Sequence, residues 1–235
     1  MPLPTLNAPE FNLTLPSNKK DIIYRPFTVK EQKALLIARE SNELKEVINA
    51  TEKIVASCCN IDLKDVKDMP YFDIEWLFLH IRGKSIGEDF KFVMSHPESN
   101  ECKTKTDISF SLEDIKFELE EDQDVNVKIT DDIGVTFSYP TFNDTQDFTK
   151  LDDPLQMYKF IVKKIKSVYD NDRVYDDFTK EEAEQFIDSL KTDQYQIILD
   201  WFNNIPVLRH EIKWKCKDCG KESTTTLTGL QDFFL

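Results

Sequence analysis

The stretch His210–Thr228, HEIKWKCKDCGKESTTTLT, has Cys216-Lys217-Asp218-Cys219-Gly220 at its centre, and these five residues decide how the rest of the chain is read. Two cysteines three positions apart, followed by glycine and flanked by alternating stretches, read as a β-hairpin whose turn is a zinc knuckle. The glycine permits the tight backbone that points both sulfurs at one ion. A structural zinc takes four ligands in a tetrahedron, so a knuckle is half a site. The best source of the other half is an earlier hairpin, in which EDFKFVMSH and CKTKTDISFSL alternate and His96 and Cys102 flank the polar link between them. Brought together, the two hairpins would form a split zinc ribbon with a Cys₃His set: His96, Cys102, Cys216 and Cys219. The alternative is a knuckle without metal, held by β-pairing and by Trp214, its cysteines left as free thiols. In both readings the hairpins at 88–111 and 210–228 lie side by side, because an isolated two-stranded ribbon is marginal in water. In both, the site is a structural staple, since no open coordination position with a general base accompanies it.

Outward from this pair, the chain has 235 residues, 40% of them apolar and 31% charged, enough to bury a core in one large domain or two small ones. No apolar run approaches the length of a membrane helix. The opening MPLPTLNAPEFNL lacks the basic and apolar regions of a signal peptide, so a soluble intracellular protein is expected. Five cysteines are an odd number, too sparse for a secreted disulfide framework, which favours thiols or a metal site. A formal charge of −14, from 44 acidic against 30 basic residues, would repel a phosphate backbone, and no basic stripe offsets it. Nucleic acid is therefore not an expected partner.

Along the chain, FNLTLPSNKKDIIYRPF (11–27) reads as two strands around Pro16-Ser17-Asn18. Thr28 and Glu31 fit a capping box opening a helix at about 29–40. A second helix from about Asn42 carries Leu44, Val47, Ile48, Thr51, Ile54, Val55 and Cys58 as one buried stripe, with Cys59 beside it. A third, opened by Asp68 and Pro70 and ended by Gly83, is apolar on almost every side, with Trp76, Phe78 and Leu79 at the centre of the N-terminal part. His80 within it reads as a core or interface histidine. VNVKIT and GVTFSYP form a further hairpin through Asp131-Asp132. Asp153-Pro154 opens a helix lined by Leu155, Tyr158, Ile161, Val162, Ile165 and Val168. Thr179 with Glu182 opens another, and Thr192 caps one that stops at Pro206. The expected class is α+β: an N-terminal β-hairpin with helices, central β-hairpins, and a C-terminal helical segment ending in a β-hairpin. The expected division is 1–87 as a hairpin-plus-helical unit, 88–145 with 207–235 as a β-hairpin module, and 146–206 as a helical insertion.

Catalytic motifs are absent. There is no P-loop, GxGxxG, GxSxG or HExxH, glycine is only 5 of 235 residues, and the three histidines at 80, 96 and 210 form no spaced cluster. Asp131-Asp132 and Asp152-Asp153 sit where a turn or a helix cap would want them. A non-enzymatic protein is expected.

The order of LPTLNAPEFNLTLPSNKKDIIYRPFTVKEQKALLIARES, DMPYFDIEWLFLHIRGKSIGE, ITDDIGVTFSYPTF and CKDCGKES…GLQDFF resembles the T4-type bacteriophage baseplate hub assembly family. That resemblance implies a chaperone-like assembly factor for the central hub of a contractile-tail baseplate, bound to hub or tape-measure proteins in the host cytoplasm. The alternative it leaves is a permanent structural subunit of the virion hub. Some members resembling this chain carry cysteine pairs at both hairpins; here the first pair has become His96 and Cys102. The resemblance supplies no catalytic residues. The ending GLQDFFL reads either as a docking tail, with Phe233, Phe234 and Leu235 meeting a partner, or as a tail tucked against the protein's own core.

Overall fold

The structure is a computed structural model, and it describes residues 6–41, 43–96, 102–115, 117–118, 124–144 and 153–229. The link 97–101, Asp152 and the tail residues Phe233, Phe234 and Leu235 lie outside the described residues. The class is α+β, and the chain divides into two compact units: Met1–Glu118 with Val207–Leu235, and Leu119–Pro206.

In the first unit, β1 (Phe11–Thr14) and β2 (Asp21–Tyr24) pair antiparallel, Phe11 opposite Tyr24, and bury Leu15, Ile22 and Tyr24. At the start of α1 (Val29–Glu40), the Thr28 amide donates to Glu31 Oε2 at 2.7 Å, the reach-back half of a capping box. α2 (Leu44–Cys59) buries Thr51, Ile54, Val55 and Cys58, the stripe that its helical spacing predicts. α3 (Leu63–Asp68) is a short helix ending at Asp68, the residue expected to cap the next one; the N-cap of α4 (Tyr71–Ile86) is Pro70 instead.

α4 is the centre of the unit: Phe72, Ile74, Leu77, Leu79 and Ile81 are fully buried and Phe78 is nearly so. Each such side chain contributes about 1.5–3 kcal/mol relative to exposure. Trp76, expected at that centre, is only half-buried and packs on the rim of the core. Gly83 does not end the helix. It lies inside α4, where a Cβ would come within 2.8 Å of Leu112 Cδ2, so this glycine serves close packing, and the helix runs to a cap at Gly87. β3 (Asp89–Met94) and β4 (Thr106–Ser111) form the next ribbon, with Phe92 opposite Ile108. The short β5 (Phe117–Glu118) pairs with the first residues of β10 (Val207–Lys215), which pairs along its length with β11 (Glu222–Thr228). Between these ribbons and α4 lies a shared core of Leu79, Phe90, Leu112, Leu208, Ile212 and Trp214.

The second unit is not purely helical. β6 (Asn126–Lys128), β7 (Gly134–Phe137), β8 (Ile165–Tyr169) and β9 (Val174–Tyr175) make one antiparallel sheet in that order. The helix from Asp153 therefore stops early: α5 is Pro154–Lys164, and Ile165 and Val168, placed by spacing on its apolar face, belong to β8. IKSVY also alternates and is rich in β-branched residues, and pairing with β7 decides between the two patterns. That pairing ties 126–137 to the stretch expected as a helical insertion from 146. α6 (Lys180–Asp188) opens on the Thr179–Glu182 capping box. α7 (Thr192–Asn203) has Lys191, not Thr192, at its N-cap, with the Gln194 side chain accepting from the Lys191 amide. Phe137, Phe160, Trp201 and Phe202 pack as an aromatic core, and the Trp201 indole donates to the Asp124 carbonyl at 2.8 Å. Buried Lys164 is neutralised by Asp144, which also takes Lys163 at 2.8 Å and the Thr141 amide at 2.8 Å.

Candidate metal centre

The knuckle is built by its own backbone. β10 ends at Lys215; the Cys216 amide then donates to the Lys221 carbonyl at 2.9 Å, and the Gly220 amide returns to the Cys216 carbonyl at 3.1 Å. Gly220 has φ +71°, a conformation costly for residues with a Cβ. This turn leaves Cys216 buried at the edge of the core and Cys219 exposed. On the facing ribbon, β3 delivers His96 two residues past its end, and Cys102 precedes β4. His96 is buried, its ring 5.3 Å from that of Trp214.

All four expected donors converge. One ligand atom from each of His96, Cys102, Cys216 and Cys219 lies within 4.8 Å of every other. His96 Nε2 is 3.2 Å from Cys219 Sγ, and Cys102 Sγ is 3.8 Å from Cys216 Sγ. Three sulfurs and one imidazole nitrogen form the donor set of a closed structural zinc site, with every tetrahedral position filled by protein. Cobalt or iron could use the same donors, but availability and a preference for tetrahedral thiolate favour zinc. His96 Nδ1 is buried with no hydrogen-bond partner among the described residues. An unsatisfied buried polar atom costs about 1–3 kcal/mol, so burial of this ring needs a compensating interaction, which a bond from Nε2 to a metal would supply.

The electrostatics suit thiolates. The backbone amides of Asp218 and Cys219, helped by His96 and Cys219, pull the Cys216 thiol down to about 6. At Cys219 the Lys221 amide pulls down, but desolvation and the neighbouring Cys216 and Cys102 outweigh it and raise the thiol. Cys216 therefore ionises readily and Cys219 resists, and a shared cation would favour the thiolate at both.

Residues that spacing alone did not single out complete the site. Asp218, between the two knuckle cysteines, accepts from the Thr104 hydroxyl at 2.9 Å, and its Oδ2 is 3.9 Å from Cys102 Sγ. The Lys217 amide lies 3.4 Å from Thr106 Oγ1. The local sequence gives no signal for these cross-ribbon contacts beyond their place inside or beside the knuckle.

The other singled-out residues lie elsewhere. His80 Nδ1 is 2.9 Å from the Trp76 carbonyl one turn back, and burial lowers its pKa. His210 packs on Phe110, ring centres 4.4 Å apart. Asp132 accepts from Asn171, and Asp153 caps α5 by accepting from the Leu155 amide at 2.9 Å. Among the described residues no helix is long and apolar enough to cross a membrane.

The chain belongs to the T4 bacteriophage base plate protein family, whose model matches residues 8–235. It is similar to the baseplate hub assembly protein gp26 of Enterobacteria phage T4, 23% identical over 227 residues that cover 96% of this chain and 98% of that relative. No solved structure matches.

Proposed function

We propose that this chain is a non-enzymatic, chaperone-like assembly factor for the central hub of a contractile-tail baseplate, acting in the host cytoplasm on hub or tape-measure proteins. The observation that carries this reading is the end-to-end similarity to a relative named for hub assembly. Because the alignment spans nearly all of both chains, the whole protein is compared rather than one shared module. The charge of −14 fits a protein that stays soluble while it covers a partner's apolar surface. The His/Cys cluster, in this reading, holds a structural zinc in a split ribbon, since all four positions of a tetrahedron would be taken by protein donors.

Affinity purification of the tagged protein from infected cells, with bound proteins identified by mass spectrometry, tests the role. Hub or tape-measure proteins should co-purify, and finished particles should lack the chain. Stoichiometric presence in purified particles would replace the transient factor with a permanent hub subunit. Recovery without any tail protein would remove the hub role.

A further inference from the structure

We propose that zinc at this cluster is the clasp that completes the first unit, so that the C-terminal ribbon β10–β11 docks stably only when the ion is bound. The proposal rests on the reading of the cluster as a structural zinc site. Zinc–thiolate bonds of about 2.3 Å at tetrahedral angles hold two sulfurs about 3.8 Å apart. Cys102 Sγ and Cys216 Sγ, one from each ribbon, are 3.8 Å apart. Along this edge the cluster already has the length that the polyhedron would need, although the two cysteines come from the unit's two separate segments, 114 positions apart in sequence.

Apart from the shared apolar core, little else joins the ribbons at this end among the described residues. β3–β4 and β10–β11 belong to different sheets, so no backbone ladder between them is found among the described residues. Beyond the cluster's own atoms, the polar links among the described residues include the Thr104–Asp218 hydrogen bond, the long Lys217–Thr106 contact and an exposed Lys217–Asp107 pair at 3.8 Å. Exposed pairs of this kind contribute little to stability. The remaining adhesion is apolar, through Trp214 and its neighbours in the core, and Cys216 belongs to that core as well as to the cluster. The two halves of the unit are separated in sequence by the whole of residues 119–206. Holding them together closes a long loop, and a metal that bridges both halves converts its binding free energy into folding free energy. The first unit is then finished only after the last hairpin has been made and loaded.

Hydrogen exchange of the full chain, with metal content measured in parallel, tests this. The protein as purified should carry about one zinc per chain. Stripping it with a chelator should speed exchange in β10–β11 and β3–β4 while leaving the sheet of the second unit unchanged, and added zinc should restore protection. Cys219→Ser and His96→Ala should behave like stripped protein; the strip-and-reload cycle on the unaltered chain carries the test if either variant misfolds. Stoichiometric zinc whose removal leaves exchange in both ribbons unchanged would overturn the clasp and leave the zinc site standing. A chain that binds no zinc with its thiols reduced would overturn both. Neither result alters the co-purification that decides the hub role.

Discussion

Two cysteine pairs in this chain meet opposite environments. Cys58 and Cys59 end α2 inside the helical part of the first unit, 4% and 8% exposed, and burial pushes their thiols up to about 11 and about 12. Cys216 is as deeply buried at 2%, yet its thiol is drawn down to about 6, because backbone amides of the knuckle turn toward the sulfur. Burial alone therefore does not decide what a cysteine is for. A helix offers a thiol no backbone donors, since its amides are spent on the helix, whereas a tight turn has amides left over. The first pair is core, with the volume of a small hydrophobe; the second supplies two of the four sulfur and nitrogen atoms gathered in the His/Cys cluster.

The largest expected consequence is in reactivity. In zinc-stripped protein near neutral pH most of Cys216 is thiolate, while the thiolate fraction at Cys58 is below about one in a thousand. Iodoacetamide should label Cys216 about tenfold or more faster than Cys58 or Cys59, since the gain in thiolate fraction is partly offset by the lower nucleophilicity of a low-pKa sulfur and by burial. The rate at Cys216 should climb as pH rises through about 6 and level off above. Zinc should suppress it. Peptide mapping after timed labelling reads all of this, and comparable rates at the two pairs would erase the distinction.

A smaller effect separates the pairs by stability. Cys59→Ser puts a hydroxyl into the apolar end of α2 and should cost about 1–3 kcal/mol, with or without zinc. Cys219→Ser changes an exposed side chain and should cost less than about 0.5 kcal/mol in stripped protein. With excess zinc the order reverses, because the unaltered chain gains binding free energy that the Cys219→Ser chain cannot. Urea unfolding of both variants, stripped and loaded, checks the crossing. Parallel behaviour of Cys219→Ser and the unaltered chain in zinc would mean that Cys219 is not a ligand.

The same contrast between local and distant causes explains what could be read from the residues. Caps at Thr28, Asp153 and Thr179, the β1–β2, β3–β4 and β10–β11 ribbons and the α2 stripe are set within a few positions, and they form where their patterns place them. The four donors were legible because a knuckle advertises half a site and ribbons seek a neighbour. Ile165 and Val168 fit helix and strand equally, and only the neighbouring β7 decides. Gly83 reads as a stop signal until Leu112, distant in sequence, claims the space beside it. Thr104 and Asp218 carry no local mark at all, since their hydrogen bond exists only once the ribbons have met.

The finest test of the comparison lies beside Cys58. Arg25 Nη1 is 3.7 Å from Cys58 Sγ, and Arg25 Nη2 is paired with Glu31 at 2.9 Å. Burial works against the Glu31 charge, but hydrogen bonds from Thr28, Arg25 and Ser57 outweigh it and bring the carboxyl down to about 2. A carboxylate held below its ordinary value adds stability that is present above that value and is lost as pH falls through the folded one. Glu31→Gln lacks this contribution at every pH. The unaltered chain should therefore exceed Glu31→Gln by on the order of 1 kcal/mol near neutrality, once solvent around a partly exposed pair is allowed for. Between about pH 4 and pH 2 the two stability curves should converge. Removing the negative partner also leaves the Arg25 charge free to favour the Cys58 thiolate, so labelling of Cys58 should quicken while remaining far below that of Cys216. Urea midpoints across the acid range read the first effect and the alkylation assay the second. Curves that stay parallel below about pH 4, with Cys58 labelling unchanged, would show that the Arg25–Glu31 pair does not shape the environment of the buried cysteines.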